Sequence, residues 1–207
     1  MIALAARGIR KSFGRRQVLA GVDLDVAAGE LIAVVGENGT GKTTLLRVLA
    51  GDLRPDAGSV DIGGRPGYCP QTVVLDDALT VDQNVRYFQA AYRIGRAGRA
   101  GELIEQLGYA DCRSQLVRTL SGGTKQKLSL TLALMHDPPV LLLDEPCQGF
   151  DWETYLAFWD LTDELRARGT ATVVISHLVF EQKRFDRICH LKGGQIEQEP
   201  SSHAPAP

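Results

Sequence analysis

The sequence predicts an α/β fold in which a mixed, mainly parallel sheet carries an N-terminal antiparallel β subdomain and an inserted α-helical subdomain. Three short apolar runs carry that expectation: residues 31–35 (LIAVV), 140–143 (VLLL) and 172–175 (TVVI). Four or five continuous Val, Ile and Leu residues bounded by turn residues fit strands covered on both faces of a parallel sheet. Each run also ends in chemistry, because Gly36 opens a glycine-rich loop, Asp144 and Glu145 follow the second run, and His177 follows the third. Ligands of open α/β sheets bind at the carboxyl ends of the strands, so three distant stretches converge on one crevice.

The elements follow in order. Residues 8–31 (GIRKSFGRRQVLAGVDLDVAAGEL) alternate apolar and polar side chains between glycine turns, the pattern of antiparallel strands. The 31–35 strand runs into GENGTGKTT at 36–44 and then into the apolar helix LLRVLAG. Residues 1–71 therefore form the β subdomain and the start of the core. From 72 to 119 the texture turns helical. Thr80 and Gln83 make a capping box, and Val81, Val85, Phe88 and Tyr92 follow at helical spacing. A second helix over 100–107 stops at Gly108. The core resumes over 120–198, where RICHLKGGQIEQ predicts a hairpin turning at Gly193-Gly194. The proline-rich tail 199–207 is expected to be disordered.

Bulk composition sets limits on function. A chain of 207 residues fits one core with a small insertion. Lys and Arg total 23 against 25 Asp and Glu, a net charge of −2, so no basic bias points to nucleic acid. Cys69, Cys112, Cys147 and Cys189 form no Cys-x-x-Cys pair. Without a signal peptide they read as reduced thiols of a cytosolic protein, with no zinc-ligand spacing. The longest apolar runs fall far short of the roughly 20 residues that cross a bilayer.

Gly36, Gly41, Lys42 and Thr43 satisfy G-x-x-x-x-G-K-[ST] between a strand and a helix. Glycines let successive N–H groups turn inward, and the helix N-terminus adds positive potential. Lys42 then reaches the β- and γ-phosphates, and Thr43 ligates magnesium. A merely glycine-rich turn explains neither residue. In VLLLDEP, side chains alternating along an extended chain send Asp144 and Glu145 to separate tasks. Asp144 suits control of the magnesium, and Glu145 suits polarising an attacking water as general base.

A second glycine-led helix start lies in TLSGGTKQKLSL at 119–130. Ser121 is a good N-cap, and the following amides with the helix dipole favour an anion. Lys125 and Lys127 oppose the usual first-turn preference for acids, which suits a visiting anion. The stretch lacks a phosphate loop's wrap and magnesium ligand.

The ordered series GENGTGKTT, CPQ, LSGGT, LLLDEP, GFD and ISH resembles the ATP-binding subunit of ABC transporters along nearly the whole chain, the tail excepted. That resemblance implies a P-loop NTPase core that binds ATP and Mg2+ and hydrolyses ATP. It assigns Gly36, Glu37, Asn38, Gly39, Thr40, Gly41, Lys42, Thr43 and Thr44 to the phosphates. It also puts Phe13 on the adenine, where tyrosine is usual. Gln71 would sense magnesium and the lytic water, so that Thr43, Gln71 and Asp144 serve the metal. Glu145, His177, Gln71 and Lys42 would carry catalysis. Ser121, Gly122, Gly123 and Asp151 would meet the nucleotide held by a second protomer. The sequence departs from the family pattern at Thr124, where glutamine is commonest, and at Cys147 and Phe150.

The same resemblance implies a head-to-tail pair of ATPase subunits, most simply a homodimer, with two ATPs sandwiched between them. It also implies a separate membrane-spanning permease subunit, and hence a place on the cytoplasmic face of the membrane. Residues 79–94 (LTVDQNVRYFQAAYRI) are similar to those of drug- and antibiotic-efflux ATPases. The short interval from Lys42 to Gln71 is closer to metal importers, and export is the preferred expectation. The rivals are a soluble ABC ATPase that remodels a ribosome or DNA complex, whose usual second cassette or long coiled coil is not seen here, and a regulator without turnover, against which Glu145 argues.

Overall fold

The computed structural model describes residues 1–72, 74–94, 99–176 and 182–198. His177 and the tail 199–207 lie outside the described residues. Two sheets organise the chain. The first has strand order β2-β1-β4, from β1 (Ile2–Phe13), β2 (Arg16–Ala27) and β4 (Ala57–Ile62), all antiparallel. The second has order β5-β6-β7-β3-β8-β9, from β3 (Leu31–Val35), β5 (Gly67–Cys69), β6 (Val140–Asp144), β7 (Ala171–Ile175), β8 (Arg187–Lys192) and β9 (Gln195–Gln198). Its pairs are parallel except the β8–β9 hairpin, which turns at Gly193-Gly194. The fold is thus α/β with a mixed, mainly parallel sheet and a separate antiparallel sheet.

The three apolar runs become β3, β6 and β7, and every residue of β6 and β7 is buried. Alternation along them feeds two cores. Leu141, Leu143 and Val174 point into a cluster with α3 (Ala100–Gln106), α4 (Gly122–Leu134) and α5 (Trp152–Ala167). Val140, Leu142, Val173 and Ile175 point into a cluster with the antiparallel sheet and α1 (Lys42–Leu49). Each strand is covered on both faces, as continuous hydrophobic runs require.

Between the sheets' contributions lies α2 (Val81–Tyr92), followed by α3 and two single turns of 3-10 helix. Thr80 caps α2 by accepting from the Gln83 amide at 3.2 Å, while the Gln83 side chain accepts from the Thr80 amide at 2.8 Å. Val81 and Val85 are buried, and Phe88 and Tyr92 pack against the same cluster. The ends of this segment meet, since Thr80 bridges Leu116 and Val117 N–H donates to Leu79. Arg99 joins it to α5 through Glu164 at 2.6 Å.

Register sets up the site. Ile175, the last residue of β7, pairs with Val34 on one side and Asp144 on the other. The loop leaving β3 and the acids leaving β6 therefore emerge side by side at one sheet end.

Candidate nucleotide site

The chain leaves β3 through Gly36 and wraps into α1. At Gly41 the backbone is left-handed, with φ 106°, and a Cβ there would stand 2.7 Å from a Val18 methyl carbon. Only glycine fits both demands. Lys42 is 8% exposed and donates from Nζ to the carbonyls of Gly36 at 2.7 Å and Glu37 at 3.0 Å. Its charge is thus folded onto the loop from which it can turn toward phosphate. Thr40 donates its hydroxyl to Glu37 O, and Arg16 donates from Nη2 to Gly39 O at 2.9 Å.

Asp144 ends β6 and is only 1% exposed. Burial pushes its carboxyl above the usual aspartate range; the Thr43 hydroxyl and the Lys42 charge oppose the rise, while the Glu145 charge adds to it. Its Oδ2 is buried and, among the described residues, has no hydrogen-bond partner. Glu145 departs from the expected geometry. It lies beyond β6 with φ 52°, a left-handed conformation uncommon outside glycine. Its amide donates to Ile175 O at 3.0 Å. The two acids part company because the backbone reverses at Glu145, and not through alternation along an extended strand.

One open cleft of about 440 Å³ is lined by Asn38, Gly39, Gly41, Lys42, Thr43, Gln71, Asp144, Glu145 and Ile175. The phosphate loop, the glutamine of CPQ and both acids thus share a single space. A second groove of about 570 Å³ shares Thr43, Gln71 and Asp144 with it and runs out past Tyr68, Leu75, Phe88, Tyr92 and Leu132. Phe13 ends β1 with its ring 51% exposed, outside either core, and Lys11 lies 5.8 Å from its centroid. An ordinary packing role does not fit such a ring.

The second glycine stretch forms a capped helix start that lines neither groove. Ser121 caps α4, accepting from the Thr124 amide at 3.1 Å, and its hydroxyl meets the Thr124 hydroxyl at 2.9 Å. A Cβ on Gly123 would stand 2.6 Å from Gly149 O, so the glycine lets the 147–151 loop lie against the helix. Asp151 caps α5 by accepting from the Thr154 amide at 2.8 Å; the Thr154 hydroxyl first, then that amide, hold its carboxyl below the usual range, with Lys127 adding to the effect. Lys125 does not stand free for an anion, because its ammonium pairs with Asp77 at 2.9 Å. Cys147 and Phe150 pack against the helical-side core.

Arg16 carries no local sequence signature of a place beside the phosphate loop. Two arginines follow Phe13 in the hairpin turn, but only the fold brings one of them to the phosphate loop.

Residues 19–148 match the family model described as "ABC transporter". Among curated relatives, the daunorubicin resistance ATP-binding protein DrrA3 of Streptomyces coeruleorubidus is 36% identical over 95% of this chain and 67% of its own length. The aliphatic sulfonates import ATP-binding protein SsuB 1 of Nocardia farcinica is 41% identical over 100% of this chain and 84% of its own. The ABC transporter G family member 20 of Dictyostelium discoideum is 32% identical over 94% of this chain, which spans 29% of that longer protein. Among solved structures, the dimeric bacterial ABC transporter cassette MJ0796 superposes with a TM-score of 0.87 at 24% identity, over 97% of this chain and 99% of the other.

Proposed function

The chain belongs to the ABC transporter family as one of its ATP-binding, ATP-hydrolysing cassettes, and we propose that it drives a separate membrane-spanning permease by closing on ATP against a second copy of itself. The observation that carries this is the shared cleft of Lys42, Thr43, Gln71, Asp144 and Glu145. Phosphate binding, metal binding and water activation all need to meet there.

The residues fit a magnesium ion. Asp144 offers a buried oxygen with no hydrogen-bond partner among the described residues, beside the Thr43 hydroxyl. Mg2+ prefers such hard oxygen donors and draws most of its ligands from water and phosphate. Among the described residues no three His, Cys, Asp or Glu side chains cluster as an all-protein cage would need, which suits that habit. Bound there with Gln71 nearby, the ion would neutralise charge on the phosphates.

The protein's own groups supply the rest. Loop amides and Lys42 hold the β- and γ-phosphates. Glu145 accepts a proton from water as the water oxygen attacks the γ-phosphorus. The bond from that phosphorus to the bridging oxygen breaks, leaving ADP and phosphate. His177 is assigned the γ-phosphate contact. Phe13 is assigned the adenine face, while Ser121, Gly122, Gly123 and Asp151 are assigned the partner's nucleotide. A phosphate loop and a capped helix start on separate parts of one surface are complementary halves for such a pair. No helix among the described residues is long and apolar enough to cross a membrane, so the permease is a separate segment or chain. The groove leading from Gln71 to Phe88 and Tyr92 is a place for it to dock, and it would hold the cassette on the cytoplasmic face.

Export is the preferred direction, in keeping with the drug-resistance relative and the 79–94 segment. Import is the second reading, favoured by the 41% identity to a sulfonate-import protein. Affinity capture of the tagged chain from detergent-solubilised membranes tests the assignment. A hydrophobic membrane protein recovered with it is expected, and its identity would set the direction. Recovery with ribosomes or DNA instead would contradict the transporter assignment.

A further inference from the structure

The phosphate loop by itself does not distinguish ATP from bare polyphosphate. Its amides and Lys42 address phosphate oxygens, so selection for a base must come from a side chain held at a fixed distance from the loop. Phe13 is the candidate platform, and it stands at the tip of a hairpin. β1 and β2 turn through Gly14 and Arg15, with Gly14 at φ 59°, and Phe13 pairs in register with Arg16. Pairing of β1 with β4 ends at Arg10, so the tip has lost its third strand. Two-stranded tips are marginal unless tied down.

Two ties hold this one. On the β4 side, Asp56 accepts from the Ser12 amide at 2.7 Å and from Lys11 Nζ at 2.8 Å. On the loop side, Arg16 Nη2 donates to Gly39 O at 2.9 Å. Two residues further on, Val18 lies against Gly41 so closely that a Cβ there would be 2.7 Å from its methyl carbon. The hairpin wall and the phosphate loop thus touch at Gly39 and at Gly41.

We propose that Arg16 is a positioning residue: by bonding Gly39 in the phosphate loop while paired with Phe13 across the hairpin, it fixes the span between base platform and phosphates and so selects adenine nucleotide over bare polyphosphate. This rests on the assignment of Phe13 to the base. Guanidinium suits the task, since its planar fork keeps a hydrogen bond in a set direction. The side chain is exposed, so its removal perturbs the span and not the core.

The test is a binding double-mutant cycle on the full chain, with ATP and inorganic tripolyphosphate as probes. Arg16→Ala is expected to weaken ATP binding by about five- to tenfold with tripolyphosphate binding and the thermal midpoint unchanged. Arg16→Lys, which keeps a donor but not the planar fork, should recover only part of the loss. In a Phe13→Ala background the Arg16→Ala change should have little further effect. A parallel fall in tripolyphosphate affinity would make Arg16 a direct phosphate ligand and overturn the positioning role. If Phe13→Ala weakens ATP and Arg16→Ala does not, the platform stands and the strut is wrong. If Phe13→Ala has no effect on ATP, the platform fails and the strut fails with it.

Discussion

Asp144 carries two properties in tension. Its burial raises its carboxyl, and among the described residues the Thr43 hydroxyl and the Lys42 charge favour its ionisation. A carboxyl whose folded pKa is raised is destabilising once ionised, so the nucleotide-free protein should lose stability as pH rises through and above the ordinary aspartate range. Asp144→Asn should therefore raise the thermal midpoint of the nucleotide-free protein and remove the magnesium-dependent part of ATP's stabilisation, both readable by scanning calorimetry. Cys69 gives a second window. Full burial pushes its thiol up to about 11, so its contribution is intact below pH 9 and is lost as pH approaches 11. Stability should fall by about 2–3 kcal/mol over that interval, and Cys69→Ala should flatten the slope in denaturant titrations at each pH. The sequence announced Asp144 and Glu145 as a pair, and it did so by their place after a strand. It did not disclose the reversal at Glu145. A positive φ there depends on the Glu145 amide reaching Ile175 on another strand, which is long-range information.

Among the elements, those with local signatures were visible and those defined by distant pairing were not. The capping box at Thr80 and Gln83 is a four-residue signal, and α2 begins where it says. Thr80→Ala should cost about 1 kcal/mol, measured as a lower denaturation midpoint. β4 has no local signature, because AGSVDI is mostly exposed and lacks an apolar run, and it becomes a strand only by pairing with β1. β5 is three residues long and owes its place to β6. At the start of α4, local cues pointed correctly to a cap but gave Lys125 an anion, whereas the fold gives it Asp77 from a segment 48 positions away. Gly123 is where this element meets the 147–151 loop. Gly123→Ala should force the two apart, since the added carbon would sit 2.6 Å from Gly149 O. ATP binding to the isolated chain should survive in that variant, while steady-state ATPase falls by at least tenfold. Equal loss of both would place the defect in folding.

Across the whole molecule, the phosphate loop and the second glycine-led helix start do not share a cleft, and the proposed catalytic site needs both. The loop, Gln71 and the two acids share one cleft, and the capped start of α4 lies outside its lining. In the proposed pair a second chain would join them, and hydrolysis would separate them again. In the proposed cycle ATP closes such a pair, and Glu145 opens it by turning over the bound nucleotide. Glu145→Gln keeps the side chain's shape but removes the proton acceptor, so it should lower turnover by about 10²–10⁴-fold and hold the closed state. Sedimentation of that variant with saturating Mg-ATP measures this directly. A species of twice the 22.5 kDa chain mass that reverts to one chain without nucleotide is expected, and a variant that stays at 22.5 kDa throughout would contradict ATP-driven pairing.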